Sequence, residues 1–135
     1  MVSHSKATVS TGNNALDAAK ALSDTILSTP EWSELVDVQQ ATDRDREFGR
    51  MITRQGELER AQQTARDRRE GFGGKDLVEL IALRSRIQGH ELSVRQQEAS
   101  RAVAQLLKQV NRTISEGLGF DFASSVTLRR DRCCG

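Results

Sequence analysis

From Phe48 to Ala65, the residues Phe48, Met51, Gln55, Leu58, Gln62 and Ala65 follow one another in alternating steps of three and four. That spacing averages 3.4 residues, close to one helical turn, and places all six side chains on one stripe. A strand would need a period of two. A second seam runs through Leu92, Ala99, Val103, Leu106, Leu107, Val110 and Ile114. Two extended helices therefore dominate a chain of 135 residues. Ile52 and Ala61 widen the first stripe, and Gly49 and Gly56 lie inside it. Each glycine costs about 1 kcal/mol against alanine in a free helix, or lets another backbone come close.

The remaining elements follow from caps and breaks. Residues 1–13 are small and polar and read as a disordered lead-in. Leu16, Ala19, Leu22, Ile26 and Leu27 predict a first helix over about residues 14–28, with Asn13 or Asn14 as its cap. Thr29-Pro30-Glu31 restarts the chain as a helix: Thr caps, Pro fits the first position, and Glu complements the helix N-terminus. Trp32, Leu35, Val36 and Gln39 then mark about three turns. Thr42 or Asp43 is expected to cap the third helix, with Asp45 in its first turn and its end near Glu70. Gly71-Phe72-Gly73-Gly74 is a break, after which Asp76 is expected to cap a helix carrying Leu77, Leu80, Ile81, Arg84 and Ile87. Gly89-His90 ends or kinks it, and the last helix stops at Gly117 or Gly119. Residues 119–135 read as a flexible tail. The alternation Ser125 to Leu128 is too short for a sheet. The fold class is all-α: a helical domain over residues 14–118, with two short helices followed by a long antiparallel helical hairpin. Its stripes would stay wet in a lone copy, so a dimeric helical bundle is expected.

Composition narrows the function. Charged residues make up 29% but leave a net charge of only +1, so bulk attraction to nucleic acid or membrane is absent. No stretch approaches the roughly 20 apolar residues of a membrane span, and the N-terminus lacks the apolar run of a signal peptide. The expected location is the cytoplasm.

Catalytic constellations are scarce. His4 falls in the lead-in, and His90 at a helix junction is read as a cap or corner filler. Asp43, Asp45 and Glu47, like Glu57 and Glu59, are two apart and point in different directions on a helix, so they form no acid–base pair. Gly71 to Asp76 has the wrong spacing for a phosphate loop, follows a helix, and places an acid after Lys75. Arg66-Asp67-Arg68-Arg69 and Arg129-Arg130-Asp131-Arg132 are basic clusters near Phe72 and Phe120. They read as solvated helix ends, with an RNA-touching patch as the alternative. The chain is expected not to be an enzyme.

Cys133 and Cys134 are adjacent at the C-terminus and cannot staple the fold. Thiolates suit zinc or iron–sulfur clusters, and Arg129, Arg130 and Arg132 would favour the thiolate form. An adjacent pair cannot complete a four-ligand shell, so a cluster would need ligands from other chains. Incidental thiols are the competing reading; lipidation lacks a C-a-a-X box.

Several short motifs together resemble the bacterial YlbF/YmcA family of small helical regulators. They are Ala15-Leu16-Asp17-Ala18-Ala19, the Pro30-Glu31-Trp32 helix start, Ala41-Thr42-Asp43-Arg44-Asp45 before a helix carrying Phe48, and Leu80 to Ile87. Gly89-His90-Glu91 and Leu107-Lys108-Gln109-Val110-Asn111 with Ile114 complete the pattern, which spans about residues 14–118. The resemblance implies a cytoplasmic, non-enzymatic protein acting in multi-protein assemblies that affect competence, biofilm formation and sporulation, in part through an RNA-processing endonuclease. It also implies that Cys133 and Cys134 correspond by position to C-terminal cysteines that help hold an iron–sulfur cluster in some relatives. The chain departs from the pattern in having only an adjacent pair, and in carrying Gly89-His90 where relatives often have an Asn-Pro-like break.

The reading that follows is a regulatory adaptor working through protein–protein contacts. Its expected partners are further copies of itself, related helical proteins and an RNA-processing endonuclease, with no membrane and no direct nucleic-acid contact. The alternative is an iron–sulfur or thiol redox sensor, and the weakest reading is an RNA-binding accessory. Phe48, Met51, Ile52, Leu58, Leu80, Val103, Leu107 and Val110 are the candidate contact residues, and periodicity alone leaves open which are core and which interface.

Overall fold

The structure is a computed structural model and describes residues 10–126, with side chains described for residues 12–125. Six helices follow in order, α1 (Ser10–Leu27), α2 (Pro30–Arg44), α3 (Arg46–Asp67), α4 (Gly74–Gln88), α5 (Glu91–Leu118) and α6 (Phe122–Val126), with no strand among the described residues. The all-α class and the hairpin are thus as the periodicity predicts. The short helix α2 is part of the hairpin, however. It leads into α3 across the single residue Asp45, and α5 follows α4 across Gly89 and His90. The two arms are therefore α2–α3 and α4–α5: α3 packs on α4, and α2 packs on α5. Residues 68–73 turn the chain between them.

The breaks have local causes. Pro30 disfavours helical backbone at the residue before it, and Thr29 is extended at φ −74°, ψ 151°. The Thr29 hydroxyl accepts from the Trp32 N–H at 3.4 Å and donates to the Ile26 carbonyl at 2.6 Å, closing α1 and opening α2 together. At the next break the cap is Asp45, not Thr42 or Asp43. Its backbone is extended (φ −80°, ψ 101°), its carboxylate accepts from the Phe48 N–H at 2.9 Å, and its own N–H bonds back to Ala41 and Thr42 carbonyls. Thr42 is still helical and donates to the Val38 carbonyl, while Asp43 accepts from Gln39. One residue outside helical geometry is enough to end one helix and cap the next.

Helix α3 ends in a left-handed turn at Arg69 (φ 55°), with the Glu70 N–H reaching the Ala65 carbonyl at 2.8 Å. Glycine usually takes this position, because a Cβ crowds the following carbonyl there. Asp76 does not cap α4; Gly73 precedes the helix without a side-chain bond, and Asp76 lies in the first turn, where its charge complements the N-terminus. Helix α1 begins at Ser10, four residues ahead of its expected start. The expected tail also contains structure: Gly119 stops α5 in the left-handed region (φ 77°), and α6 folds back onto α5. The Ser115 hydroxyl accepts from the Phe122 N–H at 3.0 Å and the Asn111 side-chain oxygen from the Ala123 N–H at 3.2 Å.

The main core is a cluster of Phe48, Met51, Leu58, Leu80, Leu83 and Leu92, flanked by Ala41, Phe72 and Ile87. It fills the α3–α4 seam and reaches the junction where both arms break. Val38 on α2 and Ala99 and Val103 on α5 are buried in the other half of the hairpin. Every core residue is apolar, and no buried side-chain polar atom lacks a partner among the described residues.

Candidate protein-interaction surface

The eight candidate contact residues separate once their burial is known. Phe48, Met51, Leu58, Leu80 and Val103 are buried and belong to the core. They can serve a partner only by holding the helices in place. Ile52 and Leu107 are exposed at 44% each and can touch another molecule. Val110 is half-buried, lining an open groove of about 260 Å³ with Leu22, Leu106, Gln109, Thr113 and Ile114. Cys133 and Cys134 lie outside the described residues. Among those described, no group of three or more His, Cys, Asp or Glu side chains could hold a metal ion.

The phase of two stripes differs from the sequence expectation. On α2 the inward residue is Val38, fully buried, with Trp32 and Leu35 half-buried, whereas Val36 is exposed. The step of three from Trp32 through Leu35 to Val38 was the available signal. On α4 the inward residues are Leu80, Leu83 and Ile87; Leu77 and Ile81, expected on that stripe, are exposed at 39% and 57%. Helix α4 is apolar on more than one side, so its period alone leaves two faces to choose from.

Two apolar regions remain open. The first is the side of α4 that carries Leu77, Val78 and Ile81, and Ile52 is exposed on α3, the helix packed against it. The second comprises α1, the C-terminal half of α5, and α6. Of the described α1 side chains, only Leu22 and Ile26 are even half-buried, while Leu16 is 71% exposed. Leu107, Leu118, Phe120 and Phe122 continue this region. Scattered exposed apolar residues are ordinary, but contiguous groups of them on helices mark contact sites.

Ion pairs tie the arms together beside these regions. Arg54 grips Glu79 through two bonds, at 2.7 and 3.0 Å, and Arg84 reaches Glu59 at 3.1 Å across the same seam. Arg95 on α5 meets Glu34 on α2 at 2.9 Å. The Arg54 fork holds the Glu79 carboxyl below the usual carboxylate range. Since its folded value lies below its unfolded one, the pair's stabilisation is complete above the ordinary carboxylate range and is lost as pH falls through the depressed value. Both side chains are well exposed, so screening keeps the effect small. Glu79→Gln should lower the melting temperature slightly at pH 7 in low salt, with the difference shrinking as pH falls through the depressed value and in 1 M salt. Equal melting curves at pH 7 in low salt would show that the pair sets register without adding stability.

Glu59, one of the carboxylates weighed as an acid–base pair, is thus used as a tie to Arg84. His90 is used as well: its Nδ1 accepts from the Leu92 N–H at 3.1 Å, and its ring lies on Phe48 with centroids 4.4 Å apart. It both caps α5 and fills the corner, as its position at a junction predicted. Among the described residues no helix is long and apolar enough to cross a membrane.

No curated protein and no solved structure matches the chain. A family model described as control of competence regulator ComK, YlbF/YmcA, matches residues 15–119. That span takes in α1 to α5 except for the first turn of α1, together with both junctions, and stops short of α6. A helical hairpin broken at Asp45 and at Gly89-His90, matched over most of its length, identifies the chain as a member of the YlbF/YmcA family, whose description ties it to control of the competence regulator ComK.

Proposed function

We propose that this chain is a non-enzymatic regulatory adaptor of the cytoplasm that works by presenting apolar helical faces to other proteins. The observation that carries the reading is the open side of α4 formed by Leu77, Val78 and Ile81, with Ile52 also exposed on α3, beside a well-formed core. These four residues are left uncovered next to Leu80 and Leu83, so the face is not a by-product of poor packing. The family's link to a competence regulator supports a regulatory setting. A related helical protein and an RNA-processing endonuclease are the partner classes that the family resemblance suggests. The use of His90 as a cap and of Glu59 and Glu79 as ties to arginines supports the absence of catalysis.

The test is affinity capture from the native cell with the wild-type chain and Ile81→Asp. Ile81 is exposed, so its replacement should leave the helical circular dichroism intact while reducing recovery of the specific partner at least about tenfold, as expected for a charge buried in an apolar contact. Undiminished recovery would remove this face from the reading. A parallel chain ending at Asp131 addresses the second reading, a redox or iron–sulfur role of Cys133 and Cys134, favoured by the arginines at positions 129, 130 and 132. Anaerobic purification yielding a colourless, iron-free protein with normal partner capture rejects that role.

A further inference from the structure

We propose that the outer side of α3 is a docking furrow for an acidic helix of a partner protein. The proposal rests on the adaptor reading only in that the occupant is another protein, and it adds a second surface to the α4 side around Ile81. Opposite the buried stripe of α3, the residues Arg46, Gly49, Thr53, Gly56, Arg60 and Gln63 follow one another in steps of three and four. All are exposed except Gly56, which is half-buried, and α3 packs on α4 through its other side. Two open hollows of about 560 Å³ each lie along this line and meet at Thr53. Their floor is low, since nothing of the chain stands within 4 Å of where a Cβ would be at Gly49 or Gly56. From Arg46 to Gln63 the furrow runs for about 25 Å at the helical rise of 1.5 Å per residue, a shape into which a second helix packs.

Charge selects the occupant. Arg54, Glu57 and Glu59 line the furrow but are already paired within the chain. Arg54 meets Glu79 at 2.7 Å and Glu57 at 3.4 Å, and Arg84 holds Glu59 at 3.1 Å. Among the described residues, Arg46 and Arg50 have no carboxylate within ion-pair distance, and Arg60 donates to the Gly56 carbonyl at 3.2 Å and to no carboxylate. With the internal pairs set aside, the furrow is lined by uncompensated arginines and by no unpaired carboxylate. An arginine fork matches a carboxylate through two parallel bonds. Arg60 lies two heptads beyond Arg46, about 21 Å along the axis. A helix with acidic residues two heptads apart, and small or apolar ones between, meets both ends of the furrow at once. Opposite charges so placed fix the register and exclude partners of the wrong sign. RNA fits less well: no aromatic side chain lines either hollow to stack a base, and Glu57 and Glu59 would face its phosphates.

The test titrates the full chain with a fluorescent helical peptide of about 20 residues, carrying glutamates two heptads apart with alanine and leucine between them. Wild type should bind it with a dissociation constant below about 100 μM, and at least about tenfold more tightly than the same peptide with glutamine for glutamate. Arg46→Glu/Arg50→Glu, on exposed side chains, should keep the helical circular dichroism and weaken binding at least about tenfold. Arg66→Glu/Arg68→Glu makes the same change of net charge at the hairpin tip and should bind as wild type does, as should Ile81→Asp. Equal binding of the two peptides, unchanged binding by Arg46→Glu/Arg50→Glu, or an equal loss in the tip variant would each overturn the proposal. So would tighter binding of a single-stranded RNA of about 20 nucleotides, or a change in the sedimenting mass of the chain itself on Arg46→Glu/Arg50→Glu, which would give the furrow to RNA or to another copy. A wild-type chain that ignores the peptide, while Ile81→Asp loses the cellular partner, would sink this inference alone. Peptide binding through Arg46 and Arg50, with undiminished recovery of the cellular partner by Ile81→Asp, would sink the α4 surface alone.

Discussion

Phe48→Ala should destabilise the protein by about 3–5 kcal/mol, measured as a shift in urea unfolding followed by helical circular dichroism. The ring is 2% exposed and packs in the cluster with Met51, Leu58, Leu80, Leu83 and Leu92. It also lies against His90, while its N–H is held by Asp45. Four helix ends meet at this level: α2 stops, α3 starts, α4 stops and α5 starts. Removing the ring opens a cavity that the helix ends cannot easily close, since each is pinned by its own cap. Phe48→Leu keeps most of the volume and should cost only about 1–2 kcal/mol. Since small domains are stable by about 5–15 kcal/mol in all, the alanine variant should unfold at markedly lower denaturant. A cost for Phe48→Ala below about 1 kcal/mol would show that the junction is loosely packed and able to relax.

The second large effect is expected one helix away. Leu80 is fully buried, and Leu80→Ala should cost about 2–5 kcal/mol by the same measurement. The adjacent Ile81→Ala should stay within about 0.5 kcal/mol, because that side chain is 57% exposed. The pair is a direct check on the phase of α4. If Ile81→Ala were the costlier change, the helix would be rotated, and the open face assigned to partners would be its core. Together the two substitutions separate residues that hold the hairpin from residues that face outward.

Much of this architecture was legible in the order of residues. The steps of three and four from Phe48 to Ala65 and the apolar seam from Leu92 to Ile114 demanded long helices, and both formed. Thr29-Pro30 placed a boundary because proline restricts the residue before it, and Gly71 to Gly74 marked the reversal. His90 was legible as a cap from its position after Gly89. These signals are local: each acts through the backbone of a few neighbouring residues. The choice among Thr42, Asp43 and Asp45 as cap was not decidable in this way, since all three side chains can accept a backbone N–H. Packing of Phe48 into the junction favours the break that starts α3 at Arg46.

What the sequence determined by itself was the class of structure, the number of long helices and the places where the chain turns, because helix period and capping depend only on near neighbours. Tertiary structure alone decided that α2 extends the first arm and packs on α5, that Val38 and Leu83 face inward while Val36 and Ile81 face out, and that α1 is left almost uncovered. The physical reason is that a stripe on a helix defines an angle relative to its own axis. Which angle becomes core depends on the helix it meets, and that partner can lie 61 residues away, as between Glu34 and Arg95.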